Sequence, residues 1–222
     1  MQVPHLVYFA DPMCSWCWGF SPVIEAIERD FGSTLPIRLV LGGLRPGTTE
    51  PMTDDGKSEI RSHWEHVHEA SGQPFDMEFF ARDGFVYDTE PCSRAVVVMR
   101  RAGMPAALAG LRRIHTAFYA ENRDVTQLEE LTAIAVELGF PEAGFRSAWN
   151  SDEAKLETQR DFALSQASGI RGFPTLIAGI GQAPEDEQSP NGQDAEYALV
   201  THGFQPAGRI LPALHKWRSA LG

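Results

Sequence analysis

The sequence predicts a mixed α/β fold in which sheet-forming segments at the two ends of the chain enclose a long helical segment. The first observation is a β–α–β pattern at the start of the 222-residue chain, and the second is a β–β–α pattern at its end. The third is the stretch from about residue 48 to 165, where helical signals dominate and no convincing strand occurs. That stretch is too long for a loop. We therefore predict a core formed by residues 1–47 and 166–222, with an all-helical insertion at 48–165.

The opening β–α–β unit is indicated by two apolar runs with a helix pattern between them. Residues 6–9 (LVYF) are typical of a strand that is covered on both faces. From Cys17 onward apolar residues recur at helical spacing, with Pro22 expected to kink the helix and Gly32 to end it. Residues 37–41 are a second apolar run. A crossover of this kind implies parallel strands with a right-handed connection.

The middle segment is predicted to be helical throughout. One helix is expected near residues 55–70, and another starts at Thr89, with Pro91 tolerated in its first turn. Trp64 and Phe79-Phe80 are interpreted as the core of the insertion rather than a substrate groove. Two more helix starts are predicted where a polar cap residue precedes a glutamate by three positions: Thr126 with Glu129, and Asn150 with Glu153.

The end of the chain returns to sheet. Residues 175–180 and 197–201 have strand character and are separated by the polar run 181–196, so they are most simply antiparallel. A last helix begins near Pro206. Its predicted buried residues are Ile210, Leu214, Trp217 and Leu221.

Composition excludes several classes of function. The net charge is −11, with 30 acidic and 19 basic residues, which opposes binding to nucleic acid or to an anionic membrane. No long apolar run and no basic leader segment occur, so we expect neither a membrane span nor a signal peptide. Three cysteines, an odd number, fit thiols kept for chemistry in a reducing compartment, and we expect a cytoplasmic location.

A CxxC motif, CSWC, lies where the first predicted strand turns into a helix. Cys14 is at the helix N-terminus, where free N–H groups and the positive end of the dipole favour a thiolate. Cys17 is one turn deeper on the buried face, so the first sulfur should be reachable and the second shielded. Disulfide exchange needs this asymmetry, because Cys14 forms a mixed disulfide that Cys17 resolves. Trp16, Trp18 and Phe20 are expected to surround the pair with aromatic surface.

A second signature lies far away in the sequence. Phe173-Pro174 immediately precedes the third predicted strand. Pro174 has no N–H, so the backbone of Phe173 can offer its own groups to an extended substrate. An isolated Phe-Pro pair is weak evidence, but it gains weight from the β–α–β and β–β–α patterns around it.

These features together resemble the DsbA family of thiol–disulfide oxidoreductases, and in particular its FrnE-like cytoplasmic branch. The resemblance is carried by DPMCSWCWGF at 11–20, GGLRPG at 42–47, YDTEP at 87–91 and GIRGFPTL at 169–176. It implies a thioredoxin-like fold with an all-helical insertion, and a cis peptide bond before Pro174 that faces the cysteines. It also implies exchange of disulfides with thiols of proteins or small molecules through Cys14 and Cys17, without a cofactor.

The sequence departs from the periplasmic DsbA oxidases in two places. Those enzymes carry Pro-His between the cysteines and an acidic residue in the strand beneath them, whereas this chain has Ser15-Trp16 and Tyr8. The dipeptide helps to set the redox potential, so a strongly oxidising character is not implied. Asp11 is a candidate proton acceptor, although aspartate before proline is more typical of a turn.

The three cysteines also allow a purely structural interpretation. Cys14 and Cys17 are also compatible with half of a zinc site, but zinc takes four ligands and only Cys92 remains, so no metal is expected. Cys92 itself, in the first turn of a predicted helix, is interpreted as a small buried residue, with a third redox thiol as the alternative.

Two other motifs received structural interpretations. His63, His66 and His68 are assigned to an exposed polar helix face, although the first two are spaced so that they could share a metal. Gly42-Gly43 is assigned to a turn after the second strand, because it lacks the strand–GxGxxG–helix context of a nucleotide site.

Two other classes of function stay open. The first is a thioredoxin-like adaptor that binds proteins without using its thiols. The second is an enzyme similar to kappa-class glutathione transferases or 2-hydroxychromene-2-carboxylate isomerases, which the presence of two cysteines disfavours. The redox direction, the physiological partner and the oligomeric state are not determined by the sequence.

Overall fold

A four-stranded sheet in the order β2-β1-β3-β4 lies at the centre of the fold in a computed structural model that describes residues 3–181 and 196–221. β1 pairs in parallel with β2 and antiparallel with β3, and β3 pairs antiparallel with β4. The predicted α/β class and both strand pairings are confirmed. The strands are β1 (Val3–Ala10), β2 (Ile37–Leu41), β3 (Thr175–Gly181) and β4 (Glu196–His202).

Helix α1 (Ser15–Phe31) connects β1 to β2 and packs its apolar face on the sheet. It ends at Gly32, whose φ of +50° favours glycine. Pro22 lies inside α1 and has no N–H to donate to the carbonyl of Trp18, four positions earlier. The side-chain amide of Gln73 donates to that carbonyl instead, at 3.2 Å.

Six α-helices lie between β2 and β3. They are α2 (Asp54–Ser71), α3 (Glu90–Arg100), α4 (Met104–His115), α5 (Leu128–Glu137), α6 (Glu142–Asn150) and α7 (Asp152–Ala167). Within the described part of the chain this region contributes no strand to the sheet and only one isolated bridge, Pro51 to Val86. The proposed boundary at residue 165 falls inside α7, which packs against β2.

Two of the predicted helix starts are wrong in detail. α5 begins at Leu128 after Gln127 and has no side-chain cap, and Thr126 lies instead in the preceding turn, where its N–H and hydroxyl both donate to Asp124. α7 begins one position later than expected, because Ser151 and not Asn150 accepts from the N–H of Ala154. Short polar side chains compete for the same backbone donors, so neighbouring candidates are hard to separate by spacing alone.

The aromatic core predicted for the insertion is confirmed. Trp64 is fully buried, and its ring lies 4.9 Å from that of Phe79 and 4.8 Å from that of Phe80, centroid to centroid. Edge-to-face contacts with Phe118 and Tyr119 extend the cluster towards the start of α1, where Tyr119 stacks on Trp18.

A buried ion pair joins the insertion to the sheet. Asp161 of α7 accepts two hydrogen bonds from the guanidinium of Arg100 on α3, at 2.6 and 3.1 Å. The same carboxylate accepts from the N–H of Leu41 at the end of β2, at 2.9 Å. Because three elements meet at one carboxylate, the strand that carries Gly42 is held in a fixed position relative to the helices.

The C-terminal helix α8 (Ala207–Ser219) covers the sheet beside α1. Ile210 and Leu214 are buried, as predicted, whereas Trp217 was predicted to be buried and is half-buried. Leu221 was predicted to be buried and is 41% exposed, because α8 ends before it and the helical spacing no longer applies. Most of the polar run 181–196 lies outside the described residues. No helix among the described residues has the length and apolar character needed to cross a membrane.

Candidate active site

The turn between β1 and α1 presents the two cysteines. The N–H of Cys14 donates to the carbonyl of Asp11 at 3.1 Å, and the N–H of Met13 donates to the Asp11 carboxylate at 2.9 Å. Cys14 is the N-cap residue of α1 and has extended backbone angles, so its side chain is at the start of the helix. Cys17 lies in the first turn of α1.

The two sulfur-bearing side chains differ in access. Cys14 is 7% exposed and Cys17 is 0% exposed, so the order is the predicted one, but Cys14 is itself largely buried and less open than predicted. Both are free thiols. Burial raises the pKa of the Cys17 thiol well above its ordinary value, and a hydrogen bond to Cys14 and the charge of Cys14 raise that pKa further. The inner thiol therefore holds its proton more firmly than an exposed cysteine does.

Phe173 and Pro174 lie directly beside Cys14. The Cys14 sulfur is 3.6 Å from the carbonyl oxygen of Phe173, and the Phe173–Pro174 peptide bond is cis. The ring of Phe173 lies against Gly42, where a Cβ atom would come within 2.1 Å of it. Gly42 also donates its N–H to Ala10 in β1, at 2.7 Å. Gly42 therefore extends the pairing of β2 with β1 and makes room for Phe173, while the chain leaves the strand at Gly43, whose φ is +67°.

The aromatic residues of the motif have different environments. The half-buried ring of Trp16 lies 5.8 Å from that of Phe204, which is also half-buried. Trp18 and Phe20 are instead buried in the core, where the Trp18 indole donates to the carbonyl of Pro74 at 3.0 Å. Of the three aromatics, Trp16 is the one with surface available to a partner.

Asp11 combines a structural and an electrostatic role. Its side chain is fully buried and accepts from the backbone N–H groups of Met13 and Leu44, at 2.9 and 2.8 Å. Burial raises the pKa of this carboxyl to about 6, against the lowering effect of those two hydrogen bonds. The turn-forming interpretation is thus supported, and the carboxyl titrates within the physiological range.

Several residues around the thiols were not identified as site residues from the sequence. The hydroxyl of Tyr87 donates to the carbonyl of Met13 at 2.6 Å and so holds the turn before Cys14 from the insertion. Burial and, next, the negative charges of Cys17 and Cys14 raise the pKa of Tyr8, which places its hydroxyl in the field of both sulfurs. A signal for Tyr87 was present in the sequence, because this residue belongs to the YDTEP motif that carries part of the family resemblance.

His115 is the other residue that was missed. It is the last residue of α4, is fully buried, and lies 3.1 Å from the carbonyl oxygen of Asp11 through Nε2. Burial lowers its pKa to about 4. No local pattern distinguishes it from an ordinary core residue, because both of its partners come from residues 11–21.

The remaining candidates behave as structural residues. Cys92 is fully buried, donates to the carbonyl of Thr89 at 3.3 Å, and has a pKa raised well above its usual value by burial. His63, His66 and His68 are exposed on α2, as predicted. Across residues 3–181 and 196–221, no three histidine, cysteine or acidic side chains are arranged to hold a metal ion.

The sheet order, the crossover helix and the inserted helices define a thioredoxin-fold protein. More particularly, the chain belongs to the family of the DSBA-like thioredoxin domain, whose profile matches residues 5–196. The resemblance inferred from the motifs is thereby confirmed.

Solved structures with this architecture include disulfide oxidoreductases. A protein from Nitrosomonas europaea, provisionally named a protein disulfide isomerase, is 37% identical, with a TM-score of 0.85 and 99% of each chain covered. The cytosolic disulfide reductase DsbM from Pseudomonas aeruginosa is 26% identical, with a TM-score of 0.68 over 98% of this chain and 96% of its own. A 2-hydroxychromene-2-carboxylate isomerase is 14% identical with a TM-score of 0.61, which shows a common fold only.

Similar proteins of a different class are also known. The ClpXP adapter protein SpxH from Bacillus cereus is 27% identical over 176 residues, which is 76% of this chain and 57% of the adapter. This chain therefore spans little more than half the length of the curated relatives that it matches.

Proposed function

We propose that the protein is a thiol–disulfide oxidoreductase that exchanges disulfides with thiols of proteins or small molecules through Cys14 and Cys17. The observation that carries the proposal is the pair of free thiols at the start of α1, with Cys14 7% and Cys17 0% exposed and with the carbonyl of Phe173 3.6 Å from the Cys14 sulfur. Cys92 also lies in the first turn of a helix, but it is fully buried and its thiol donates to Thr89 of its own helix start.

The proposed reaction has two exchange steps. The Cys14 thiolate attacks one sulfur of a substrate disulfide, forms a mixed disulfide, and releases the first substrate sulfur as a thiolate. Cys17 then loses its proton and attacks the Cys14 sulfur, which forms the Cys14–Cys17 disulfide and releases the second substrate sulfur. The substrate gains two electrons and becomes a dithiol, and the protein loses two. Run in reverse, the same steps oxidise a dithiol.

Phe173 and Trp16 are proposed to bind the substrate. The backbone of Phe173 precedes a residue without an N–H, so its carbonyl can accept from an extended peptide that approaches Cys14. The ring pair of Trp16 and Phe204 offers an apolar surface of the kind that contacts peptide side chains. Both features suit an unfolded or extended protein segment as the partner.

Asp11 is proposed to accept the proton that Cys17 loses. Its carboxyl is buried near the inner thiol, and its negative charge contributes to the raised pKa of Cys17. Because the pKa of Asp11 is about 6, the carboxylate form that can accept a proton becomes dominant above that pH. We expect the resolving step in the wild-type protein to accelerate as the pH rises through about 6.

A single-turnover measurement of the second thiol release tests the role of Asp11. Asp11→Asn should slow this step and remove its acceleration near pH 6. Asp124→Asn is the matched control, because Asp124 also accepts from the backbone N–H two positions further on, that of Thr126. An unchanged pH profile in Asp11→Asn shows that this residue only forms the turn.

Reduction of insulin disulfides tests the activity itself. Cys14→Ser should abolish turnover, and Cys17→Ser should stop after one step with the substrate captured as a mixed disulfide on Cys14. Cys92→Ser is the matched control, and it should retain turnover within about twofold, as is usual for residues outside the chemistry. If wild-type protein shows no exchange with any dithiol or disulfide, the proposal is wrong.

Reduction of substrate disulfides is the direction that the similar proteins favour, because one of them is a cytosolic disulfide reductase. On the same ground we propose a cytoplasmic location. The similar cytosolic disulfide reductase DsbM has also been solved with GSH, at 25% identity and a TM-score of 0.67. Glutathione is therefore a candidate small-molecule partner. Titration of the Cys14–Cys17 couple with reduced and oxidised glutathione determines which direction is allowed, since about 30 mV changes the equilibrium tenfold.

A second candidate is an adaptor that binds a client protein without redox chemistry. The similarity to ClpXP adapter proteins favours it. The two hypotheses are distinguished by Cys14→Ser in the intact cell. If Cys14→Ser accumulates normally but does not replace the wild-type protein in the cell, the enzyme is supported. If Cys14→Ser replaces the wild-type protein fully, the adaptor is supported.

A further inference from the structure

His115 is a buried titratable residue that the exchange steps described above do not use. It comes from the helical insertion, at the junction of α4 with a π-helical turn formed by Thr116–Ala120. Both of its ring nitrogens have partners in the segment that carries the thiols. Nε2 is 3.1 Å from the carbonyl oxygen of Asp11, and Nδ1 is 3.2 Å from the hydroxyl of Ser21.

The partners determine which nitrogen carries the proton. A carbonyl oxygen only accepts, so Nε2 must hold the hydrogen and donate it to Asp11. Nδ1 of His115 is then an acceptor for the hydroxyl of Ser21. A neutral ring with one proton satisfies both contacts, and burial keeps it neutral by lowering its pKa to about 4.

The same two partners contact the backbone of the cysteines. The Asp11 carbonyl that accepts from His115 also accepts from the N–H of Cys14, at 3.1 Å. The single hydroxyl hydrogen of Ser21 is shared between Nδ1 of His115 and the carbonyl oxygen of Cys17, which both lie 3.2 Å from the hydroxyl oxygen. The imidazole of His115 therefore connects the turn before Cys14 with the helical turn from Cys17 to Ser21.

We infer that His115 is a positioning residue that holds the backbones of Cys14 and Cys17 at the spacing of the dithiol state and thereby sets their redox equilibrium. The inference rests on the proposed function. The helical turn from Cys14 to Trp18 links the two residues in both redox states, and in the disulfide state the sulfur–sulfur bond adds a second covalent constraint. In the dithiol state that second constraint is absent, so the buried contacts of His115 contribute more to the spacing of the two residues.

The sign of the effect follows from this difference. Removing the contacts of His115 with Asp11 and Ser21 should destabilise the dithiol state more than the disulfide state. The equilibrium should therefore move towards the disulfide. The reaction to be measured is protein dithiol plus oxidised glutathione giving protein disulfide plus two molecules of reduced glutathione. Its equilibrium constant should increase when His115 no longer donates to Asp11.

Two substitutions of similar polarity separate positioning from simple loss of packing. The amide nitrogen of His115→Gln reaches about as far as Nε2, so it can still donate to the carbonyl of Asp11. The shorter side chain in His115→Asn leaves that carbonyl without this donor but can still reach Ser21. We expect His115→Asn to raise the equilibrium constant about tenfold, and His115→Gln to stay within about twofold of wild type.

The outcomes are distinct. Equal constants for wild type, His115→Gln and His115→Asn overturn the inference, because they mean that His115 stabilises both redox states alike. So does an increase in His115→Gln as large as in His115→Asn. If His115→Asn does not fold, Ser21→Ala removes the other contact of His115 and should raise the constant about threefold, and an unchanged constant again overturns the inference.

Failure of the proposed function looks different. In that case wild-type protein forms no Cys14–Cys17 disulfide in any glutathione buffer, and no constant can be measured. A measurable wild-type equilibrium that the variants leave unchanged removes only the role of His115.

Discussion

The sulfur of Cys14 lies 3.6 Å from the carbonyl oxygen of Phe173, a residue 159 positions further along the chain. Two features hold this contact in place. The turn before Cys14 is held by hydrogen bonds to its carbonyls, including the one from Tyr87 to Met13. On the other side, the ring of Phe173 lies against Gly42 at the end of β2. The contact thus depends on packing at least as much as on the CxxC motif.

Substitution of Gly42 should disturb this contact without touching either thiol. In Gly42→Ala the new Cβ would lie 2.1 Å from the ring of Phe173, so the ring and its carbonyl must shift. We expect insulin reduction to fall at least about tenfold, because displacing a positioned group by a fraction of an ångström is costly. Gly208→Ala on α8 is the matched control, since no atom lies within 4 Å of its added Cβ.

A second variant shows whether the clash is the cause. Phe173→Ala removes the ring, so adding Gly42→Ala to it should lower the free energy of unfolding by less than Gly42→Ala does alone. Equal losses in the two backgrounds would contradict the steric explanation, and the effect of Gly42 would then lie in the turn itself.

Burial of His115 predicts a pH dependence of stability. Its folded-state pKa is about 4, below the usual 6.5, so the unfolded chain takes up a proton at a higher pH than the folded protein does. The stabilisation that the folded protein gains from a neutral His115 is therefore fully present above pH 6.5. It decreases as the pH falls from there and is lost at about pH 4. Denaturant unfolding of wild type and His115→Gln from pH 8 to 4 measures it.

The pH dependence that comes from His115 is the difference in the free energy of unfolding between wild type and His115→Gln. The free energy of unfolding of wild type relative to His115→Gln should be constant above about pH 7 and should decrease from there towards pH 4. A constant difference over the whole range would mean that the ring is solvated in the folded protein.

The ion pair between Arg100 and Asp161 should matter more for stability than a neighbouring pair on the same two helices. Asp161→Asn leaves the half-buried guanidinium of Arg100 without its counter-charge, so we expect a loss of about 2 kcal/mol in the free energy of unfolding. Glu157→Gln breaks the more exposed pair with Arg101 and should cost about 0.5 kcal/mol. Comparable losses in urea titrations of the two variants would contradict the importance of burial.

The contact between Gln73 and the carbonyl of Trp18 predicts a coupling with Pro22. Gln73→Leu should lower the free energy of unfolding by about 1 kcal/mol, because the carbonyl loses its donor. In a Pro22→Ala background the new N–H can donate to the same carbonyl, so the cost of Gln73→Leu should shrink. A double-mutant cycle measures this coupling. Additive losses would show that Gln73 acts through packing alone.

Sequence patterns were most successful where the signal is local. Residues 37–41 were assigned to a strand with the bounds that β2 has, and the helix predicted near 55–70 is α2 within one residue at each end. Patterns were least successful at helix termini, as with Thr126, and beyond the last turn of α8, as with Leu221. Termini depend on which of several polar side chains captures a backbone donor, and spacing does not decide that competition.

Some features of the candidate site were likewise predictable from local sequence patterns, and others were not. The amino-acid order alone was sufficient to put one cysteine at a helix N-terminus and the other in the first turn of that helix, because strand and helix periodicities are properties of neighbouring residues. The roles of Tyr87, His115 and Gly42 came only from the folded chain. Their partners are 74, 104 and about 130 positions away along the chain, and contacts over such separations leave no periodic trace in the sequence. They exist because the sheet and the inserted helices pack together, which brings these side chains to the turn that carries Cys14.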